Sequence, residues 1–112
     1  MKEHERIILM KIKSYSEQAI NFIGDMDFIT FSNDIKTISA CVFQLSQIGE
    51  LAGRLESDFI EQTNHIPWRK IKNMRNKIVH DYEGVLLNIV WDVLTDFLPE
   101  LIIEIDKLLV KR

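Results

Sequence analysis

One cysteine, two prolines, four glycines and no long apolar run are the scarcities of this 112-residue chain, and each excludes something. A lone Cys41 cannot form an internal disulfide, which points to a reducing compartment and a cytoplasmic protein. Rare glycine and proline beside a 46% apolar fraction argue against disorder. No stretch approaches the roughly 18–20 apolar residues that span a bilayer. The opening MKEHERIILMKIKS has too short an apolar patch, closed at once by lysines, to suggest a secretory signal. Metal-ligand spacing is missing too: His4, His65, His80 and Cys41 are scattered, and no carboxylate triad suggests two-metal chemistry. A glycine-rich phosphate loop is likewise missing.

What is present is helical periodicity from end to end, with no convincing alternating strand. Ile8, Ile12, Tyr15, Ala19 and Phe22 step by four and three, predicting an amphipathic helix over about 3–24 with Gly24 at its end. Residues 25–32 read as a connection whose Phe28 and Phe31 tuck back onto the core. Ser32 or Asn33 is the expected cap of a second helix burying Ile35, Ile38, Val42, Leu45, Ala52 and Leu55. Gly49 inside that helix costs about 1 kcal/mol relative to alanine, so its presence suggests the close approach of another helix. Residues 56–66 form a polar connection with a helical turn near Phe59. Pro67 opens a third long helix to about Tyr82, stopped by Gly84. A last helix carries Ile89, Val90, Val93, Leu94, Phe97, Leu101, Ile105 and Leu108, and Pro99 should kink or split it near Leu98. The expected architecture is one all-α domain over 1–112, an antiparallel bundle of four to five helices.

Net charge is −3, which taken alone disfavours nucleic acid. Its distribution does not. Residues 66–80 carry Arg69, Lys70, Lys72, Arg75 and Lys77 and no acid, whereas the chain from Asp81 onward is strongly acidic. Such a strip is a candidate phosphate-facing surface, and its plain alternative is a solvated helix face. At about 100° per residue, Arg75 falls among Ile71, Met74, Ile78, Val79 and Tyr82, while Arg69, Asn73, Asn76 and His80 occupy the opposite side. An arginine on an apolar stripe needs a carboxylate partner, for which Glu50 is a candidate, or an open groove or interface. Arg75 and His80 lie about 140° apart, so one straight helix cannot aim both at a single phosphate. Either the helix loosens before His80 or a second protomer completes the site.

The string Arg75-Asn76-Lys77-Ile78-Val79-His80-Asp81-Tyr82 resembles the R-x4-H motif of the HEPN superfamily, in the R-N-x3-H-x-Y form of HepT-like toxins. Ile48–Glu50 (I-G-E), Ile66–Trp68 (I-P-W), Asn88–Trp91 (N-I-V-W) and Leu98–Leu101 (L-P-E-L) resemble further landmarks of that family, in order over roughly residues 35–110. The resemblance implies a HEPN-like bundle that dimerises through the R-x4-H helix. It also implies a metal- and cofactor-free endoribonuclease toxin acting on tRNA or mRNA. Arg75 would stabilise charge on the scissile phosphate, His80 would move the proton of the 2′-hydroxyl or the leaving 5′-oxygen, and Asn76 would orient the phosphate. These residue types suit the task, since a histidine pKa near ~6.5 permits proton exchange and arginine stays charged with a fork of donors. Arg69, Lys70, Lys72 and Lys77 would contact RNA. Tyr82 would be the residue that a partner nucleotidyltransferase antitoxin modifies with AMP, although its wheel position also suits packing. A non-catalytic HEPN module that docks a nucleotidyltransferase or a nucleotide is the alternative, and a plain helical dimerisation protein a third. Trp68 and Trp91 are expected in packing rather than base stacking, Cys41 as a core filler, and His4 and His65 at the surface.

Overall fold

The computed structural model describes residues 1–81 and 87–110, with the side chains of 78–81 excepted. All regular structure among these residues is helical: α1 (Glu3–Ile23), α2 (Phe28–Ser32), α3 (Ile35–Ala52), α4 (Ser57–Gln62), α5 (Trp68–Asp81), α6 (Leu87–Asp92) and α7 (Leu98–Val110). No helix among them is long and apolar enough to cross a membrane. Helix α3 is the centre of the packing, with α5 and α1 laid most extensively against it, and α7 packed on α1. The expected all-α bundle is present.

Local chemistry explains most boundaries. α1 ends at Gly24, whose φ of 48° is open to glycine at little cost, and its N–H donates to the Ile20 carbonyl. The cap of α3 is Asp34 rather than Ser32 or Asn33: its Oδ1 accepts from the Thr37 N–H at 3.0 Å and its Oδ2 from the Thr37 hydroxyl at 2.9 Å. Those bonds hold the Asp34 carboxyl below the usual carboxylate range. Ser32 is instead spent inside α2, donating to the Phe28 carbonyl. The segment read as a connection is therefore partly helical, capped by Asp27. Phe31 is fully buried against Trp91, with ring centroids 5.1 Å apart, while Phe28 stays partly exposed on the edge of the same indole.

Pro67 sits one position earlier than expected, just outside α5, where its carbonyl accepts from the Ile71 N–H. Trp68 is buried, and its indole N–H donates to the Thr63 hydroxyl at 2.9 Å, which in turn donates to the Phe59 carbonyl. This relay fastens α4 to the start of α5.

The last helical stretch divides near Leu98, one of the two outcomes expected of Pro99, and it does so through a widened turn. Residues Val93–Phe97 form a π-helical turn, in which the Leu98 N–H donates to the Val93 carbonyl. Pro99 thereby falls in the first turn of α7, where a missing N–H has no intrahelical partner. The extra residue also resets the register. Val90, Leu94 and Leu98 reach the core at steps of four, Phe97 packs partly buried against it, and Ile89 is exposed.

Cys41 is buried with a thiol pushed up to about 11 by desolvation, as a core filler should be. At pH 8 only about one molecule in a thousand would carry the thiolate. Native protein should therefore resist iodoacetamide at pH 8 and label readily once unfolded by urea, as read by mass spectrometry. Rapid native labelling would contradict this packing.

Candidate nucleic-acid interface

The site begins with two glycines four residues apart on α3, Gly49 and Gly53. A Cβ at Gly49 would lie 2.7 Å from the Arg75 Cβ and 3.2 Å from the Ile71 carbonyl oxygen. The missing side chain is thus what lets α5 lie against α3, as the cost of a helical glycine suggested. Gly53 faces the Lys72 stem at ordinary contact distance. Ile71, on the inner side of α5, is fully buried.

Arg75 starts from this close contact and turns outward. Its Nε lies 3.4 Å from Glu50 Oε2, and both side chains are 45% exposed. Glu50 is therefore its partner, and the pair sits at an open edge rather than in the core, where screening keeps such pairs weak. Arg54 approaches the same carboxylate at 3.9 Å from the opposite side. Gly49, Glu50, Gly53, Arg54, Lys72, Arg75 and Asn76 together line a groove of ≈ 230 Å³. Three cations and an amide around one carboxylate leave a net positive hollow suited to a phosphate.

Of the expected contact residues, the fold gathers Lys72, Arg75 and Asn76 in this groove. Arg69, Lys70 and Lys77 are exposed on α5 but are not part of it. Arg54 was not legible as a groove residue beforehand; the spacing Gly49-x3-Gly53 with Arg54 next in line was the available signal. α5 is helical through His80 to Asp81, so the loosening considered as one way to bring His80 toward Arg75 does not occur. The His80 side chain, Tyr82 and the predicted stop at Gly84 lie outside the described residues.

The histidine pattern needs one correction. His4, though far in sequence from Glu56, comes together with Glu5 and Glu56, their ligating atoms within 4.8 Å. Each of these groups is already engaged. Glu5 Oε2 accepts from the Glu56 N–H, Glu56 pairs with Lys2 at 3.1 Å, and His4 Nε2 lies 3.1 Å from the Arg54 carbonyl. The cluster ties the start of α1 to the chain after α3.

Comparison with known proteins decides the family. The model of the family described as ribonuclease HepT-like matches residues 12–108. The chain belongs to the HepT-like ribonuclease family. A Methanocaldococcus jannaschii protein provisionally named an RNase is 33% identical over 96% of this chain and 89% of its own length. A Caldanaerobacter subterraneus protein with a similar provisional RNase name is 32% identical, covering 96% of each chain. A Thermococcus cleftensis protein, provisionally named ribonuclease HepT, is 32% identical over 96% of this chain and 98% of its own. No solved structure matches at the same stringency. The groove holds Arg75 and Asn76, the first two residues of the Arg75–His80 stretch, and α5 runs on through that stretch to Asp81.

Proposed function

We propose that this protein is a metal-independent endoribonuclease toxin that cuts RNA at a composite site formed by two copies of α5. The observation that carries the reading is Arg75: a half-exposed guanidinium, positioned by Glu50 beside Asn76, at the rim of a groove with net positive charge. Arg75 stabilises the charge that builds on the scissile phosphate, and Asn76 orients a phosphate oxygen. His80, one and a half turns further on, takes the proton of the 2′-hydroxyl or gives one to the leaving 5′-oxygen. The ribose supplies the nucleophile, so the bond to phosphorus forms from the 2′-oxygen as the P–O5′ bond breaks, and a cyclic phosphate with a 5′-hydroxyl results. Arg69, Lys70, Lys72 and Lys77 hold flanking phosphates. The outer side of α5 has exposed polar residues and no helix laid across it among the described residues, which leaves room for a second protomer.

Such a toxin would be controlled by a nucleotidyltransferase antitoxin that adds AMP to Tyr82, two residues after His80 in sequence. Adenylate phosphates there would oppose RNA by charge and bulk.

The test is cleavage of single-stranded RNA by the purified chain in EDTA. Cutting should persist, and a single 2′-deoxy substitution should abolish the cut at that position. Loss of activity in EDTA restored by a divalent cation, or cleavage of the deoxy-substituted position, would falsify the mechanism. With the antitoxin and ATP, wild type should gain adenylate mass and lose cleavage, whereas Tyr82→Phe should do neither; adenylation of Tyr82→Phe to the same extent rules the site out.

A further inference from the structure

A second hollow, of ≈ 440 Å³, lies between α1 and α3 and shares Glu50 and Arg54 with the Arg75 groove. Its other lining residues are Lys11, Ser14, Tyr15, Gln18, Gln47 and the edge of Leu51. The polar wall is ordered from behind. The buried Gln44 donates to Gln18 Oε1 at 2.9 Å, and Gln18 donates to the Ser14 hydroxyl at 3.0 Å, so the Gln18 amide is fixed rather than free. Half-buried Tyr15 supplies an aromatic edge. Glu50 is the one carboxylate of this hollow, and it faces Arg75 and Arg54.

A hollow of comparable size with a different lining has the opposite character. It measures ≈ 490 Å³ and is lined by His65, Glu100, Glu104 and an apolar floor including Phe97 and Leu101. Two carboxylates at that mouth repel a phosphodiester, whereas Lys11 and Arg54 attract one. Cations for the backbone, amides and hydroxyls for base edges and ribose, and an aromatic for a base face are the set that single-stranded nucleic acid uses.

We propose that the α1–α3 hollow is a second RNA subsite, continuous through Arg54 with the Arg75 groove, which takes the ribose-phosphate of nucleotides flanking the one that is cut. The inference rests on the ribonuclease reading above. It makes α1, which carries no part of the R-x4-H motif, a contributor to how much strand the enzyme grips.

The test uses a fluorescein-labelled 20-nucleotide single-stranded RNA of mixed sequence, with His80→Ala protein so that binding is read without cleavage. Adding Lys11→Gln and Arg54→Gln should weaken binding about tenfold at ~0.1 M salt and flatten the plot of log affinity against log salt by roughly 1.4, for two lost phosphate contacts. The charge-matched pair Lys36→Gln and Lys107→Gln, outside the hollow, should leave both unchanged. Equal weakening by the two pairs reduces the effect to overall charge and overturns the subsite. If wild type cleaves RNA but the Lys11/Arg54 pair binds like its parent, the subsite alone falls. If wild type neither cleaves RNA nor, as His80→Ala, binds it, the ribonuclease reading falls and takes the subsite with it.

Discussion

Mixing Arg75→Ala subunits with His80→Ala subunits should restore about a quarter of wild-type RNA cleavage, although each variant alone should be about a hundredfold or more down. The individual losses follow from the chemistry. Removing a charged donor from a developing oxyanion costs about two to three orders of magnitude in rate, and removing a general acid or base costs two to four. The restoration follows from helix geometry. α5 is unbroken from Trp68 to Asp81. Helical pitch over five residues places position 80 about 140° around the axis from position 75 and about 7.5 Å further along it. If a site takes Arg75 from one protomer and His80 from its partner, a mixed dimer holds one site with both residues intact and one with neither. Random exchange makes half the dimers mixed, and half of their sites work. Were both residues drawn from one chain, no mixture would contain an intact site and activity would stay at the level of the single variants. Cleavage of labelled RNA after denaturing, mixing and refolding the two variants distinguishes the two cases. Arg75→Ala should remain folded, because its guanidinium is half exposed and the ion pair it makes with Glu50 is screened.

Much of this arrangement could be read from residues alone. The amphipathic stripes placed every long helix, because burial of apolar side chains follows the helical period. Phe22 and Ile35, expected on those stripes, are nevertheless exposed near the helix ends. Glu50 was a candidate partner of Arg75 beside the alternative of an open groove, and the two are found together: the pair forms, half exposed, at a groove. The missed details share a cause, which is that local competitors were closely matched. Ser32, Asn33 and Asp34 can each cap a helix, and Asp34 wins because Thr37 offers it both a backbone and a side-chain donor. Pro99 was expected to kink or split the last helix, and the division near Leu98 was legible; its form, a π-helical turn over Val93–Phe97, was not. The grouping of Arg54 and Lys11 around Glu50 depends on how α1, α3 and α5 lie side by side, which no single-helix wheel contains.

Gly49→Val should lower stability by about 3 kcal/mol, or roughly 10–15 °C in Tm, and should cost more activity than the loss of folded protein explains. The first branch of any side chain there would meet the Arg75 Cβ at 2.7 Å and the Ile71 carbonyl oxygen at 3.2 Å. One of these neighbours is backbone and the other is bonded directly to it, so rotating a flexible side chain cannot relieve the contact. α5 itself must move outward from α3. That movement opens the seam along which Ile71 is buried, and it carries Arg75 away from Glu50. A displacement of about 1 Å at a positioning group can reduce a rate a hundredfold, so catalysis should fail before folding does. Gly53→Ala supplies the control on the same helix. Its Cβ would find the Glu50 carbonyl oxygen at 3.4 Å and the movable Lys72 stem at 3.5 Å, in a backbone conformation that alanine accepts. It should be neutral or stabilising by up to about 1 kcal/mol through reduced freedom of the unfolded chain. Thermal melts and RNA cleavage on both variants check the pair. If Gly49→Val melts with wild type, the close seam between α3 and α5 is not what holds Arg75 in place.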